Sequence, residues 1–222
     1  MKKLRVLTFI FCCVVTLVAC SGGEESSSNV LRVAKDVELA SMDQHIATDG
    51  LSFEVIAATI EGLYTLDAAG SAVPAIATGY DLSEDGLTYT FHLREDAAWD
   101  NGTPVTANDF VYAWRRLVDP ATASEYAFIM DVAAVKNAAA INAGEKPLED
   151  LGVKAVDDYT LEVSLELPVP FFLQLMAFPS FFPLNEAFVT EQGSNYAQSP
   201  ESLLANGPFK MTEWIQGNSF KV

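Results

Sequence analysis

The run Tyr89-Thr-Phe-His-Leu-Arg-Glu-Asp-Ala-Ala-Trp-Asp-Asn-Gly-Thr-Pro-Val-Thr-Ala-Asn-Asp-Phe-Val-Tyr-Ala-Trp114 decides the fold, because it reads as a strand, a tight turn and a capped helix without interruption. Leu87, Tyr89, Phe91 and Leu93 alternate with Thr88, Thr90, His92 and Arg94, the period-two pattern of a strand with one buried face. Asp100-Asn101-Gly102 supplies residues that tolerate positive φ, and Pro104 removes a ladder donor just after the turn. Thr106 is placed to cap the helix that follows. Asp109, three residues on, can answer it and also favours the positive end of the helix dipole. Phe110, Trp114 and Leu117 then give that helix one apolar stripe.

The N-terminus carries the second strong signal. Lys2, Lys3 and Arg5 precede an apolar run from Val6 to Val18, shorter than the roughly 20 residues a spanning helix needs. Leu17-Val18-Ala19-Cys20 matches a lipobox, so residues 1–19 read as a lipoprotein signal peptide and Cys20 as the lipidated residue. Residues 20–29, rich in Ser and Gly, read as a flexible tether. Cys12 and Cys13 leave with the signal, so no thiol remains for a disulfide, a zinc site or a nucleophile.

With 30 acidic residues against 13 basic ones, the chain has a net charge of −17, and signal cleavage makes it more acidic still. That balance excludes a nucleic-acid partner and a polybasic membrane patch. Half of the residues are apolar, which is the composition of a globular chain rather than a disordered one.

Outward from the opening run, Asn29–Ala34 reads as a first strand with Val30, Leu31 and Val33 buried. Phe53, Ile56, Ala57 and Ile60 recur at helical spacing, and Asp67-Ala-Ala-Gly70 is a turn between short strands. Ala133–Ala143 reads as an Ala-rich helix closed by Gly144 and Pro147. Val153–Val156 and Thr160–Leu167 read as antiparallel strands joined at Asp157-Asp158, and Phe171–Met176 as a compact apolar helix. Asn206–Met211 reads as a last strand, with Trp214 and Gly217 suggesting a hairpin. Val222 falls where the second hairpin strand is expected to run, so the hairpin reads as unpartnered and the chain as truncated.

Catalytic chemistry finds no foothold. His45 and His92 stand apart with no cysteine or ligand-spaced partner, so a solvated or internally satisfied role suits each better than a metal or a base. Asp157-Asp158 and the Asp81, Glu84, Asp85 group sit at turns, where Asp is favoured on local grounds. No Gly-x-Ser-x-Gly elbow and no phosphate-cradling glycine loop occurs. Trp99, Trp114 and Phe171-Phe172 read as core, with Trp99 near enough to the turn to approach a ligand.

The opening run is followed by Arg115-Arg116-Leu117-Val118-Asp119-Pro120 leading to Tyr126-Ala127, and by Ala143-Gly144-Glu145-Lys146-Pro147. Asp150–Asp158, Pro168-Val-Pro-Phe-Phe172 and Asn206-Gly207-Pro208-Phe209 come after them. In that order these segments resemble the N-terminal portion of the extracytoplasmic peptide-binding proteins that feed ABC importers, of the oligopeptide-binding type. The resemblance implies an α/β fold with mixed α+β sheets, of the two-lobed periplasmic-binding-protein type. Residues 30–61 and 186–222 would be incomplete first-lobe segments, residues 62–185 a small second domain, and a third domain would be absent from the chain.

The function implied is capture of oligopeptides and their delivery to the permease subunits in the membrane. The receptor would be exported to the periplasmic space or the outer face of the cell membrane, held there by Cys20. It would be a monomer without enzymatic activity, metal or cofactor. Residue by residue, Thr48, Asp49, Gly50 and Leu51 match the segment whose backbone pairs with bound peptide, and Tyr126 matches a tyrosine whose hydroxyl reaches it. Phe178 stands where the general oligopeptide binder has a histidine near the ligand. The same architecture also takes dipeptides, nickel or heme in relatives. The groups that hold the peptide's charged ends lie in the third domain, so these 222 residues alone are expected to bind peptide weakly or not at all. A truncated receptor without activity is the alternative outcome, and a secreted hydrolase would need a nucleophile or metal site that this sequence lacks.

Overall fold

The alternation around Phe91 becomes strand β4 (Thr88–Leu93), with Tyr89, Phe91 and Leu93 buried as the period-two pattern requires. In the computed structural model, which describes residues 30–222, β4 lies inside a four-stranded antiparallel sheet. The strand order is β3 (Ala77–Leu82), β4, β6 (Thr160–Ser164), β5 (Val153–Asp157). Phe91 is opposite Tyr80 on one side and Leu161 on the other, so aromatic and branched residues face across both ladders. Two hairpins complete the strands: β1 (Tyr64–Leu66) with β2 (Ala72–Pro74), and β7 (Glu213–Ile215) with β8 (Ser219–Lys221). The expected signal peptide over residues 1–19, Cys20 and the expected tether over residues 20–29 lie outside the described residues.

The turn after β4 is built as read. Gly102 takes φ +87° and donates its N–H to the Trp99 carbonyl at 2.8 Å, while Asn101 Oδ1 accepts from the Thr103 N–H. Helix α2 (Ala107–Val118), preceded in the chain by helix α1 (Gly50–Thr59), begins at Thr106 with a capping box. The Asp109 carboxylate accepts from the Thr106 N–H at 2.7 Å and from its hydroxyl at 3.2 Å. The apolar face of α2 packs on β5 and β6, burying Phe110, Trp114 and Leu117 completely. Trp114 Nε1 donates to the Phe181 carbonyl at 2.8 Å, so its one polar atom is satisfied within the core. Trp99 is buried too, as its reading as a core residue expected, with Nε1 pointing towards Asp109.

Several expectations fail for non-local reasons. Of the predicted Ala133–Ala143 helix only α4 (Ala138–Asn142) forms, and a short helix α3 (Ile129–Val132) precedes the predicted start. Between them the chain runs beside the end of β6. Lys136 N–H donates to the Ser164 carbonyl at 2.9 Å, and Glu166 N–H donates to the Ala134 carbonyl at 2.8 Å. Ladder bonds to a distant strand here override alanine's helical preference, and Ala134 and Asn137 take positive φ to make the detour. In α1 the buried face is Leu51, Ser52, Val55, Ile56 and Thr59, with Ala57 exposed, so the stripe is rotated from the predicted one. The Phe171–Met176 helix shortens to α5 (Phe172–Leu175), leaving Phe171 outside the core. Residues 30–36 lie outside the compact unit Val37–Val222, and Val30, Leu31 and Val33 are exposed. A strand needs a ladder partner, and none among the described residues pairs with them.

The predicted strand at Asn206–Met211 is also absent, because its backbone is committed elsewhere. Gly207 N–H donates to the Thr59 carbonyl at 3.0 Å and Phe209 N–H to the Ala58 carbonyl at 3.3 Å, closing the C-terminal end of α1. Asn206 Oδ1 accepts from the Glu61 N–H at 2.9 Å, and its amide returns a bond to the Glu61 carbonyl. The last hairpin forms further on, around Gly217, so β7 does have its partner, contrary to expectation. Gly207 can be nothing larger: a Cβ there would sit 2.8 Å from the Thr59 carbonyl carbon. We predict that Gly207→Ala lowers stability by about 1–3 kcal/mol, read as a fall in the urea midpoint at unchanged slope. An unchanged midpoint would show that the seam has slack.

Candidate functional site

Asp49 is the residue on which the predicted peptide-facing segment turns. It is the N-cap of α1, accepting from the Ser52 N–H at 2.9 Å and from the Ser52 hydroxyl at 2.6 Å. Thr48 and Gly50 are therefore exposed at the start of the helix, while Leu51 is turned into the core. The backbone N–H groups of Gly50 and Leu51 belong to a first helical turn, which has no intrahelical acceptors for them.

Tyr126 comes to this segment through Phe53, one turn beyond Gly50. The two rings meet edge to face, with centroids 5.1 Å apart and planes at 77°. Phe178 completes the group, 4.9 Å from Phe53 and stacked on Tyr126 at 5.5 Å and 24°. All three are half-buried. The structure thus joins Tyr126 to the helix that carries residues 48–51, with an aromatic contact as the joint. A cleft lies instead at the far end of α1, lined by Thr59, Ile60, Asp100 and Lys210 among others, and it contains none of the predicted site residues.

What holds the segment in place was not visible in the sequence. Arg116, on α2, donates Nη1 to Asp43 Oδ1 at 2.9 Å and Nη2 to Asp43 Oδ2 at 2.6 Å. Asp43 in turn organises the approach to α1, since its carbonyl accepts from the Ile46 and Ala47 N–H groups. Ser41 links the two ends, accepting from the Asp43 N–H and donating its own N–H to the Ser52 hydroxyl. Burial alone would raise the Asp43 pKa, but the hydrogen bonds and charge of Arg116, with a smaller contribution from His45, hold it below its ordinary value. Arg116 also lies over the Tyr196 ring, 5.7 Å from its centroid.

His45 is the buried partner of this pair. Arg116 Nη1 lies 2.9 Å from His45 Nδ1, and because arginine can only donate, Nδ1 accepts and the proton sits on Nε2. Burial first, and then the Arg116 charge, push its pKa down from 6.5 to about 3, so the ring is neutral. His92 is exposed and bonded to Asp81 at 2.8 Å. His45 is thus internally bonded and His92 solvent-exposed, the two roles the sequence suggested for histidines here. Asp157 and Asp85 likewise accept from nearby N–H groups in their own turns.

Two outcomes follow from this cluster. Arg116→Met leaves Asp43 buried without its counter-charge, and we predict a loss of about 3 kcal/mol in chemical unfolding, partly recovered by adding Asp43→Asn. The unfolded chain binds a proton at residue 45 below pH 6.5, whereas the folded chain refuses it until about pH 3. That contribution to stability is therefore complete above pH 6.5 and lost as the pH falls, at about 1.4 kcal/mol per unit. His45→Gln should flatten the decline of unfolding free energy between pH 6 and pH 4, and an unchanged slope would contradict the buried neutral assignment.

The chain is similar to known proteins. Residues 71–222 match the family model for bacterial extracellular solute-binding proteins, family 5 Middle. The dipeptide-binding protein of Lactococcus lactis subsp. cremoris is 39% identical over 94% of this chain and 38% of its own length. A Bacillus anthracis oligopeptide ABC transporter substrate-binding domain is 50% identical, covering 85% of this chain and 36% of that one, with a TM-score of 0.81. Listeria monocytogenes OppA bound to peptide is 51% identical, with a TM-score of 0.76, covering 78% and 34%. The chain thus spans little more than a third of the length of these relatives. Its mixed α/β fold with antiparallel sheets is part of the two-lobed periplasmic-binding-protein type. With the family model covering well over half of its residues, the chain belongs to the bacterial extracellular solute-binding proteins of family 5.

Proposed function

We propose that this chain supplies part of the peptide-binding surface of an extracytoplasmic receptor that captures oligopeptides for an ABC importer. The observation that carries the reading is the aromatic joint, which sets Tyr126 against the helix that begins at Asp49-Gly50. Peptide backbone would pair with the exposed polar groups of residues 48–51, and the Tyr126 hydroxyl would add one oriented contact. Strand-like pairing of backbone to backbone recognises any sequence, which suits a general importer. The peptide-bound Listeria relative supports the ligand class.

The remaining parts of the reading rest on the sequence. Residues 1–19 would direct export, Cys20 would carry the lipid anchor, and residues 20–29 would be the tether. Residues 30–61 and 186–222 would serve the first lobe, and 62–185 the small second domain. The receptor would act as a monomer at the outer face of the cell membrane or in the periplasm. It would pass its cargo to the permease without any chemical step. A dipeptide ligand is the second reading, favoured by the Lactococcus relative.

The test is calorimetry on the protein expressed over its entire reading frame. Tri- to pentapeptides should bind, and Tyr126→Phe should weaken them about three- to tenfold through loss of one hydrogen bond. Saturation by dipeptides alone would select the second reading. Failure of every peptide to bind would sink both.

A further inference from the structure

Three rings stand in a row beside α1. Phe178 stacks on Tyr126, and Tyr126 lies against Phe128 with centroids 5.7 Å apart and planes at 34°. Phe53 closes one flank, touching Tyr126 and Phe178. Such a row has two ends, and here they differ. Phe178 is half-buried, and its backbone is fixed by bonds to Leu175 and Phe181. Phe128 is 56% exposed. Its backbone is fixed as well, since its carbonyl accepts from the Asp131 and Val132 N–H groups at the start of α3. Its neighbours Ala127 and Ile129 are buried, so the ring stands out from an anchored backbone. Made of Phe178, Tyr126 and Phe128, the row contains no ionisable nitrogen. Its last ring is left open to solvent.

We propose that Phe128 is a specificity-determining residue, and that it receives an aromatic side chain of the bound peptide as the next ring in the row. This rests on the peptide-binding reading and adds a preference to an otherwise sequence-tolerant site. Burying the open ring removes its apolar area from water, and an offset or edge contact between rings adds to that. A cationic side chain is the competing occupant, because an aromatic face also attracts charge and Glu125 and Asp131 flank the ring in sequence.

The experiment is a calorimetric panel on the protein expressed over its entire reading frame. It compares tetra-alanine with the four peptides carrying one Phe and the four carrying one Lys. The expected result is one position at which Phe binds about three- to tenfold more tightly than Ala. At that position the Phe-to-Ala ratio should fall to about one in Phe128→Ala and lie between in Phe128→Leu. Absence of any Phe advantage overturns the proposal, as does an advantage that survives in Phe128→Ala or a stronger preference for Lys. Those results leave peptide binding itself intact, whereas a protein that binds no peptide in the panel overturns the functional reading and this inference together.

Discussion

The bidentate bond between Arg116 and Asp43 is the constraint on which the placement of α1 depends. Arg116 belongs to α2, which is clamped to the central sheet by Phe110, Trp114 and Leu117. Asp43 belongs to the turn that delivers the chain to α1. The bond transfers the rigidity of the sheet to a segment that otherwise has little regular structure. Burial of an ion pair is costly, and here the cost is offset by full satisfaction of both carboxylate oxygens and by a third partner, His45. The neutral histidine matters because a second cation beside Arg116 would repel it. Burial and that very charge keep the ring unprotonated.

A second constraint acts at the opposite end of α1. Asn206 and Gly207 use side chain and backbone to close the helix terminus and hold Glu61, which itself bonds Arg94 at 2.9 Å. Gly207 is needed because a Cβ there would fall 2.8 Å from the Thr59 backbone. The helix carrying the candidate site is thus secured at both ends by residues distant in sequence.

The elements that could be read from the sequence were those decided locally. Strand β4, the Gly102 turn and helix α2 are each specified by residues within a few positions, and pattern, turn chemistry and cap agree there. The Ala133–Ala143 stretch misled because alanine's preference is weak against ladder bonds to residues 164–166, which no window of that segment contains. The same reason hid the commitment of residues 206–209 to α1. In the site, Thr48–Leu51 and Tyr126 were reachable only through resemblance, since a turn and a lone tyrosine have ordinary explanations. Phe53 carried a signal in its helical spacing, though for the core rather than for Tyr126. Arg116 and Asp43 carried none, because an ion pair across 73 residues leaves no periodicity.

The seam at Glu61 and Asn206 has one more consequence. The chain between these residues leaves and returns at one place, with its two stubs bonded to each other, and it is tied back to the approach to α1 by Arg116. A loop closed at its base passes little tension to its stubs from the turns at its outer surface. Insertions and sequence drift in its exposed turns, such as the one at Gly70, can therefore accumulate without moving α1, so long as the stubs and the bond from Arg116 to Asp43 keep their grip.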